Sequence, residues 1–152
     1  MPPRKPTAQD GHAGDPIERE ALRYLARRDR TETQVKTYLD RLGVSSTQAR
    51  SLISRFRSLG YLNDEVYAVR WARTRLERRP MGRERLQAEL IGQGIDPAMT
   101  ARTLDMVYGE ITERDIARKL LKGRGASPAL LRRHGFSEET VEAFFGAEEG
   151  PS

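Results

Sequence analysis

Apolar residues along the chain recur at three- and four-residue spacing and almost never alternate, the period of amphipathic helices and not of strands. Ile17, Ala21, Leu22 and Leu25 form the first such stripe. Thr31-Glu32-Thr33-Gln34 then has the form of a capping box, in which the Thr hydroxyl and the Gln side chain satisfy orphan amides at a helix start. Val35, Leu39 and Leu42 continue the pattern, and Gly43 supplies a left-handed stop. Ser45-Ser46-Thr47-Gln48 repeats the start signal ahead of Ala49, Leu52, Ile53, Phe56 and Leu59, and Gly60 ends that segment. Residues 17–63 therefore predict three short helices.

The pattern then recurs. The spacing predicts helices over 66–79, 82–93 and 97–108, and a shorter copy over 112–122, 127–134 and 137–145. The junctions between second and third helices line up as Leu39-Asp-Arg-Leu-Gly43-Val44-Ser45, Leu90-Ile-Gly-Gln-Gly94-Ile95-Asp96 and Leu131-Arg-Arg-His-Gly135-Phe136-Ser137. Their glycines lie 51 and 41 residues apart (94 − 43 and 135 − 94). Repetition at this scale indicates stacked helical units that share apolar surface, because each is too small to bury much alone. The expected fold is all-α, an elongated tandem array of three three-helix units at 17–63, 64–109 and 110–146, the third shortened. The flanking stretches 1–16 and 147–152 are Pro-, Gly- and polar-rich and predict disordered tails.

Composition narrows the function classes. In 152 residues there is no cysteine, which excludes disulfides, a thiol nucleophile and Cys-based metal sites. No apolar run approaches the roughly 18 residues of a membrane span, and residues 1–15 lack a signal-peptide core. A cytoplasmic location is expected. Lys+Arg is 27 against 22 Asp+Glu, a net charge of +5, and the excess is uneven. Residues 17–86 carry 17 basic and 9 acidic groups, whereas residues 87–152 carry 8 and 11. All but four of the basic residues are Arg, whose planar fork suits phosphates and carboxylates. A basic first half points to a polyanionic partner or to an acidic protein face.

Catalytic signatures are missing. His12 lies in the expected tail, and His134, just before a Gly stop, reads as structural or solvated. No H-x-x-x-H, G-x-S-x-G or phosphate-binding loop occurs. Lys122-Gly123-Arg124-Gly125 lacks the Lys-Ser/Thr of such a loop and reads as an interhelix connection. No cofactor or metal is implied. On the helix predicted over 66–79, at about 100° per residue, Tyr67, Ala68, Val69, Trp71, Ala72 and Leu76 share an apolar arc, so Tyr67 and Trp71 read as core. Arg75 lies within that arc and must snorkel, pair with a carboxylate such as Glu89, or reach a partner. Arg70, Arg73, Arg75, Arg78, Arg79, Arg83 and Arg85, against only Glu77 and Glu84, form the densest basic stretch and the candidate partner-binding site.

These residues carry a family resemblance. Gly60-Tyr61-Leu62-Asn63-Asp64, Tyr67-Ala68, Trp71, Arg75 and Gly82-x-x-Arg85-Leu86-x-x-Glu89-Leu90-x-x-Gln93-Gly94-Ile95 closely resemble the middle block of RecX, the bacterial regulator of the RecA recombinase. Ala21-Leu22-x-Tyr24-Leu25-Ala26-x-Arg28 with Thr31-Glu32, and Arg132-Arg133-His134-Gly135-Phe136-Ser137 with Val141, are similar to that family's first and last repeats. Asn63 stands where an Asp is common, and the Arg78–Met81 corner is a residue longer than in some relatives. The resemblance implies a monomeric, non-enzymatic modulator that binds RecA and its filament on single-stranded DNA and restrains recombinase and co-protease activity, with effects on DNA repair and the SOS response. An alternative is a DNA-binding helical module that grips phosphates through arginine without RecA.

Overall fold

The computed structural model describes residues 4–6, 15–122 and 125–146. Every regular element among them is an α-helix: α1 (Pro16–Arg27), α2 (Glu32–Arg41), α3 (Ser46–Ser58), α4 (Asp64–Arg78), α5 (Arg83–Gly92), α6 (Pro97–Glu110), α7 (Glu113–Leu121), α8 (Pro128–Arg133) and α9 (Glu138–Phe145). The all-α fold read from the sequence is thus the one observed, and the last three helices, of 9, 6 and 8 residues, are the shortest set. By their contacts the helices fall into two compact units. One runs through Ala68 and includes Gln93–Ile95; the other comprises Val69–Gly92 and the residues from Asp96 onward. None of the described helices is long and apolar enough to cross a membrane.

Helices this short are marginal alone, so their ends matter. Asp15, Thr31, Ser45, Asp96, Thr112, Ser127 and Ser137 each accept hydrogen bonds from first-turn amides, and Asn63 does so for α4 through Val66 N–H. The predicted capping box at Thr31 and Gln34 is complete. The three junction glycines adopt the left-handed conformation, with φ of 79° at Gly43, 94° at Gly94 and 82° at Gly135. Pro128 opens α8, where its missing N–H costs nothing.

In the first unit Val35, Leu39, Ala49, Phe56 and Leu62 are almost wholly buried. Glu18, 3% exposed, is held by Arg55 at 3.2 Å. Tyr24 stacks on Tyr38 with ring centroids 4.1 Å apart, and Arg30 lies 3.8 Å over Tyr24. Burial holds the Arg30 guanidinium below its usual pKa. Part of the stretch expected to be a tail is anchored here. Arg4 N–H donates to the Gly60 carbonyl at 2.7 Å, filling an acceptor that the end of α3 leaves open, and Lys5 pairs with Asp29 at 3.6 Å. Pro16, placed in the tail by sequence, is the first residue of α1. Residues 1–3, 7–14 and 147–152 of the expected tails lie outside the described residues.

The start of α2 is completed from a distance. Glu32 N–H donates to Asp64 Oδ1 at 2.9 Å, and the Thr31 and Thr33 hydroxyls donate to the carbonyls of Gln93 and Gly94 at 3.0 and 3.2 Å. Gln34 Nε2 donates to Gln93 Oε1 at 3.3 Å, and the Tyr67 hydroxyl reaches the same oxygen at 3.2 Å. Burial, the largest effect on Tyr67, raises its hydroxyl pKa.

The apolar arc of α4 is narrower than its composition indicates. Ala68, Ala72 and Leu76 are buried, whereas Tyr67 and Trp71, expected in the core, are only half-buried. The two rings flank the alanine stripe instead of filling it. Phe56→Ala should cost about 3–5 kcal/mol, as full burial of an aromatic side chain implies. Trp71→Ala should cost clearly less. Urea unfolding of the two variants checks the order, and an equal or larger loss at Trp71 would contradict its half-buried position.

Candidate functional site

The arginine-rich stretch turns a corner at Pro80, which cannot continue α4. The corner is fixed from beneath. Met81 is 1% exposed, and the Tyr108 hydroxyl donates to its carbonyl at 2.9 Å. Burial pushes the Tyr108 pKa well above that of an ordinary phenol, so this donor keeps its proton.

The start of α5 has no N-cap side chain of its own, because Gly82 stands there. The Gly82 amide and the first two helical amides find remote acceptors. Gly82 N–H donates to the His134 carbonyl at 2.9 Å, Arg83 N–H to Glu113 Oε2 at 2.9 Å, and Glu84 N–H to the Gly135 carbonyl at 3.2 Å. The backbones approach so closely that a Cβ on Gly82 would stand 2.2 Å from the Gly135 oxygen, and one on Gly135 would stand 2.4 Å from Arg85 Cβ. Glu113 closes the joint from the other side, accepting from Ser137 N–H, Ser137 Oγ and Thr140 Oγ1 at 2.8, 2.7 and 2.6 Å. Burial pushes its carboxyl up, but the bonds from Thr140, the Arg83 amide and Ser137 outweigh it and hold the pKa below the ordinary carboxylate range.

On this frame the seven predicted arginines part company. Arg73 pairs with Glu110, Arg75 with Glu89 at 2.7 Å, and Arg83 with Asp105 at 2.6 Å. Of the three outcomes open to Arg75, pairing with Glu89 is the one observed. The Arg73–Glu110 bond raises the pKa of the guanidinium and lowers that of the carboxyl. Arg70 is exposed on α4. Arg78, Arg79 and Arg85 instead line a single cleft of about 440 Å³ with Pro80, Met81, Leu120 and His134. Among the described residues no acidic side chain lines it. Arg85 Nη1 lies 3.4 Å from His134 Nδ1.

His134 and Leu120 were not legible as site residues. The sequence signal was position: His134 immediately precedes a junction glycine, and that junction meets α5. A second groove, on the first unit and about 690 Å³, is lined by Glu32, Lys36, Arg50 and Arg57 among others. There Arg57 is occupied by Glu32, whose hydrogen bond raises its pKa. Among the described residues no cluster of His, Asp and Glu could hold a metal ion. Residues 123 and 124 of the Lys122–Gly125 turn lie outside the described residues.

Residues 19–56 match the first three-helix domain of RecX, and residues 63–104 match its second three-helix domain. The regulatory protein RecX of Streptomyces coelicolor is 30% identical, across 88% of this chain and 86% of its own length. The chain belongs to the RecX family. The regulatory protein RecX of Treponema pallidum is 28% identical, covering 80% of the chain and 70% of its own length. The RecX crystal structure from Lactobacillus salivarius has the same fold, with a TM-score of 0.76, 21% identity, and coverage of 84% of this chain and 90% of that one. The family's three-helix domains correspond to the first two helix triplets described above.

Two variants test the joint. Gly82→Ala should destabilise the second unit by several kcal/mol or prevent its folding, because the added methyl meets backbone that cannot yield; a melting temperature equal to that of the unaltered chain would refute the close approach. Glu113→Gln should lower stability at neutral pH. The folded carboxyl has a depressed pKa, so its contribution is complete above the ordinary carboxylate value and is lost as pH falls through the folded value. The difference between the two proteins, read by denaturant midpoints, should therefore shrink toward acid.

Proposed function

We propose that this RecX family member binds RecA and its filament on single-stranded DNA and modulates, chiefly by inhibition, recombinase and co-protease activity, acting in the cytoplasm on DNA repair and the SOS response. It works by binding and not by catalysis. The observation that carries the reading is the match of most of the chain to regulatory RecX proteins. The exposed arginines give it a physical basis. Arg78 and Arg79 stand on the surface of the second unit and can meet acidic protein surface or DNA phosphates, as can the exposed Arg70 once it leaves a contact within the protein. Tandem domains supply several modest contacts that act together through effective concentration. Arg73, Arg75 and Arg83 would first have to leave Glu110, Glu89 and Asp105.

Light-scattering titration of the chain against RecA filaments and against bare single strands, at two salt concentrations, tests the proposal. Filament binding should greatly exceed binding to bare DNA at equal salt. Replacing Arg70, Arg78 and Arg79 with Glu should weaken inhibition by about tenfold or more while helical content stays unchanged. Equal binding to bare strands with a steep salt slope would favour the DNA-binding alternative. Unchanged inhibition would remove this face from the interaction.

A further inference from the structure

We propose that the cleft at the α4–α5 corner is a binding site for a dianionic phosphate group, either a terminal phosphate monoester or the phosphate tail of a nucleotide. The inference uses arginines of the proposed partner surface but does not require RecA.

The first argument is charge. Arg78, Arg79 and Arg85 line one concavity with His134, and among the described residues no carboxylate lines it. Three other arginines of the same stretch, Arg73, Arg75 and Arg83, each take one carboxylate. Three arginines lining one space match an anion with more than two acceptor oxygens and more than one charge, which a monoester or polyphosphate supplies and a carboxylate or internal diester does not. Arg85 can only donate, so in its 3.4 Å contact His134 Nδ1 is the accepting atom. The volume, about 440 Å³, is that of a small-ligand site.

The second argument is internal comparison. At an offset of 51 residues, Arg27, Arg28, Asp29 and Gln34 of the first unit stand where Arg78, Arg79, Pro80 and Arg85 stand in the second, and Gln93 stands where the third triplet has His134. There the joint is held by a neutral amide pair, Gln34 to Gln93, and Asp29 is present and salt-bridged to Lys5. The joint itself therefore needs no charge. In the second unit the amide pair has become Arg85 with His134, and the acid has become proline. The exchanges of glutamine for Arg85 and of aspartate for Pro80 both raise the positive potential of one cleft, at a place where packing did not demand it.

The third argument is rigidity. His134 and Arg85 are carried by the α8–α9 turn and α5, which the Gly82–His134 and Glu84–Gly135 backbone bonds and the Glu113 carboxylate hold together. The elements that carry these two donors are thus fixed before binding, which leaves less freedom to lose.

Calorimetric titration of the full chain with inorganic pyrophosphate tests the site. Saturable binding is expected. It should weaken about tenfold or more in Arg78→Gln/Arg79→Gln and in Arg85→Gln, weaken in His134→Gln, and stay unchanged in Arg19→Gln, which removes the same charge from the first unit. The exposed Arg78/Arg79 pair keeps the test decisive should Arg85→Gln perturb folding. Competition by a 5′-phosphorylated oligothymidylate assigns the ligand to a DNA end, and competition by a nucleoside triphosphate assigns it to a free nucleotide; either supports the proposal. Acetate competing as well as pyrophosphate at matched ionic strength overturns it in favour of acidic protein surface. A 5′-hydroxyl oligothymidylate competing as well as the phosphorylated one overturns it in favour of backbone diesters. Equal loss in Arg19→Gln leaves only diffuse charge and overturns it too. Filament binding without pyrophosphate binding removes this site and leaves the proposed function, whereas the reverse result removes that function and leaves the site.

Discussion

An amide at the start of a helix must find an acceptor, and that requirement organises this protein. The middle helix of each of the first two triplets begins with amides that its own sequence leaves partly unmet. At α2 the acceptor for the first helical N–H is Asp64, from the first turn of α4. At α5 it is Glu113, from the first turn of α7. The neighbouring donors in both cases reach the carbonyls of a junction, Gln93-Gly94 or His134-Gly135. The same polar logic has thus been used twice, once with threonine hydroxyls as the donors and once with bare backbone. Where glycine replaces threonine, the chains close to a distance that no side chain allows. Apolar burial supplies most of the cohesion, but these few bonds decide which turn meets which helix.

Repeating a joint leaves its side chains free to diverge. In one copy the pair beside the junction is two amides, and in the other it is a guanidinium and an imidazole. Both satisfy the geometry, so the choice between them is open to function. The arginines also show that charge in a sequence and charge available to a partner differ. Arg73 and Arg75 are spent on Glu110 and Glu89, which lie 37 and 14 residues further along. The excess positive charge of residues 17–86 therefore concentrates in fewer places than its count implies.

Much of this was legible in the order of residues. The helix starts at Thr31, Ser45, Asp96 and Ser137 and the stops at Gly43, Gly94 and Gly135 follow from local chemistry, because a cap needs only a few neighbouring residues. The Arg75–Glu89 pair was among the alternatives because both residues lie on faces that periodicity defines. The half-exposure of Trp71 was not legible, since periodicity gives the direction of a side chain and not the depth of what it faces. Nor was the sorting of arginines into paired and cleft-lining sets, which depends on Glu110, Asp105 and His134 arriving from remote helices. Gly82 was visible as a conspicuous residue, but its reason, the oxygen of Gly135, lies 53 positions away (135 − 82).

Pro128 occupies, in α8, the place that Glu32 and Arg83 hold in α2 and α5. Its nitrogen bears no hydrogen, so a carboxylate at that point would meet a pyrrolidine ring and gain nothing. The carboxylate bond that completes the starts of α2 and α5 is therefore ruled out at the same place in α8 by a single imino acid.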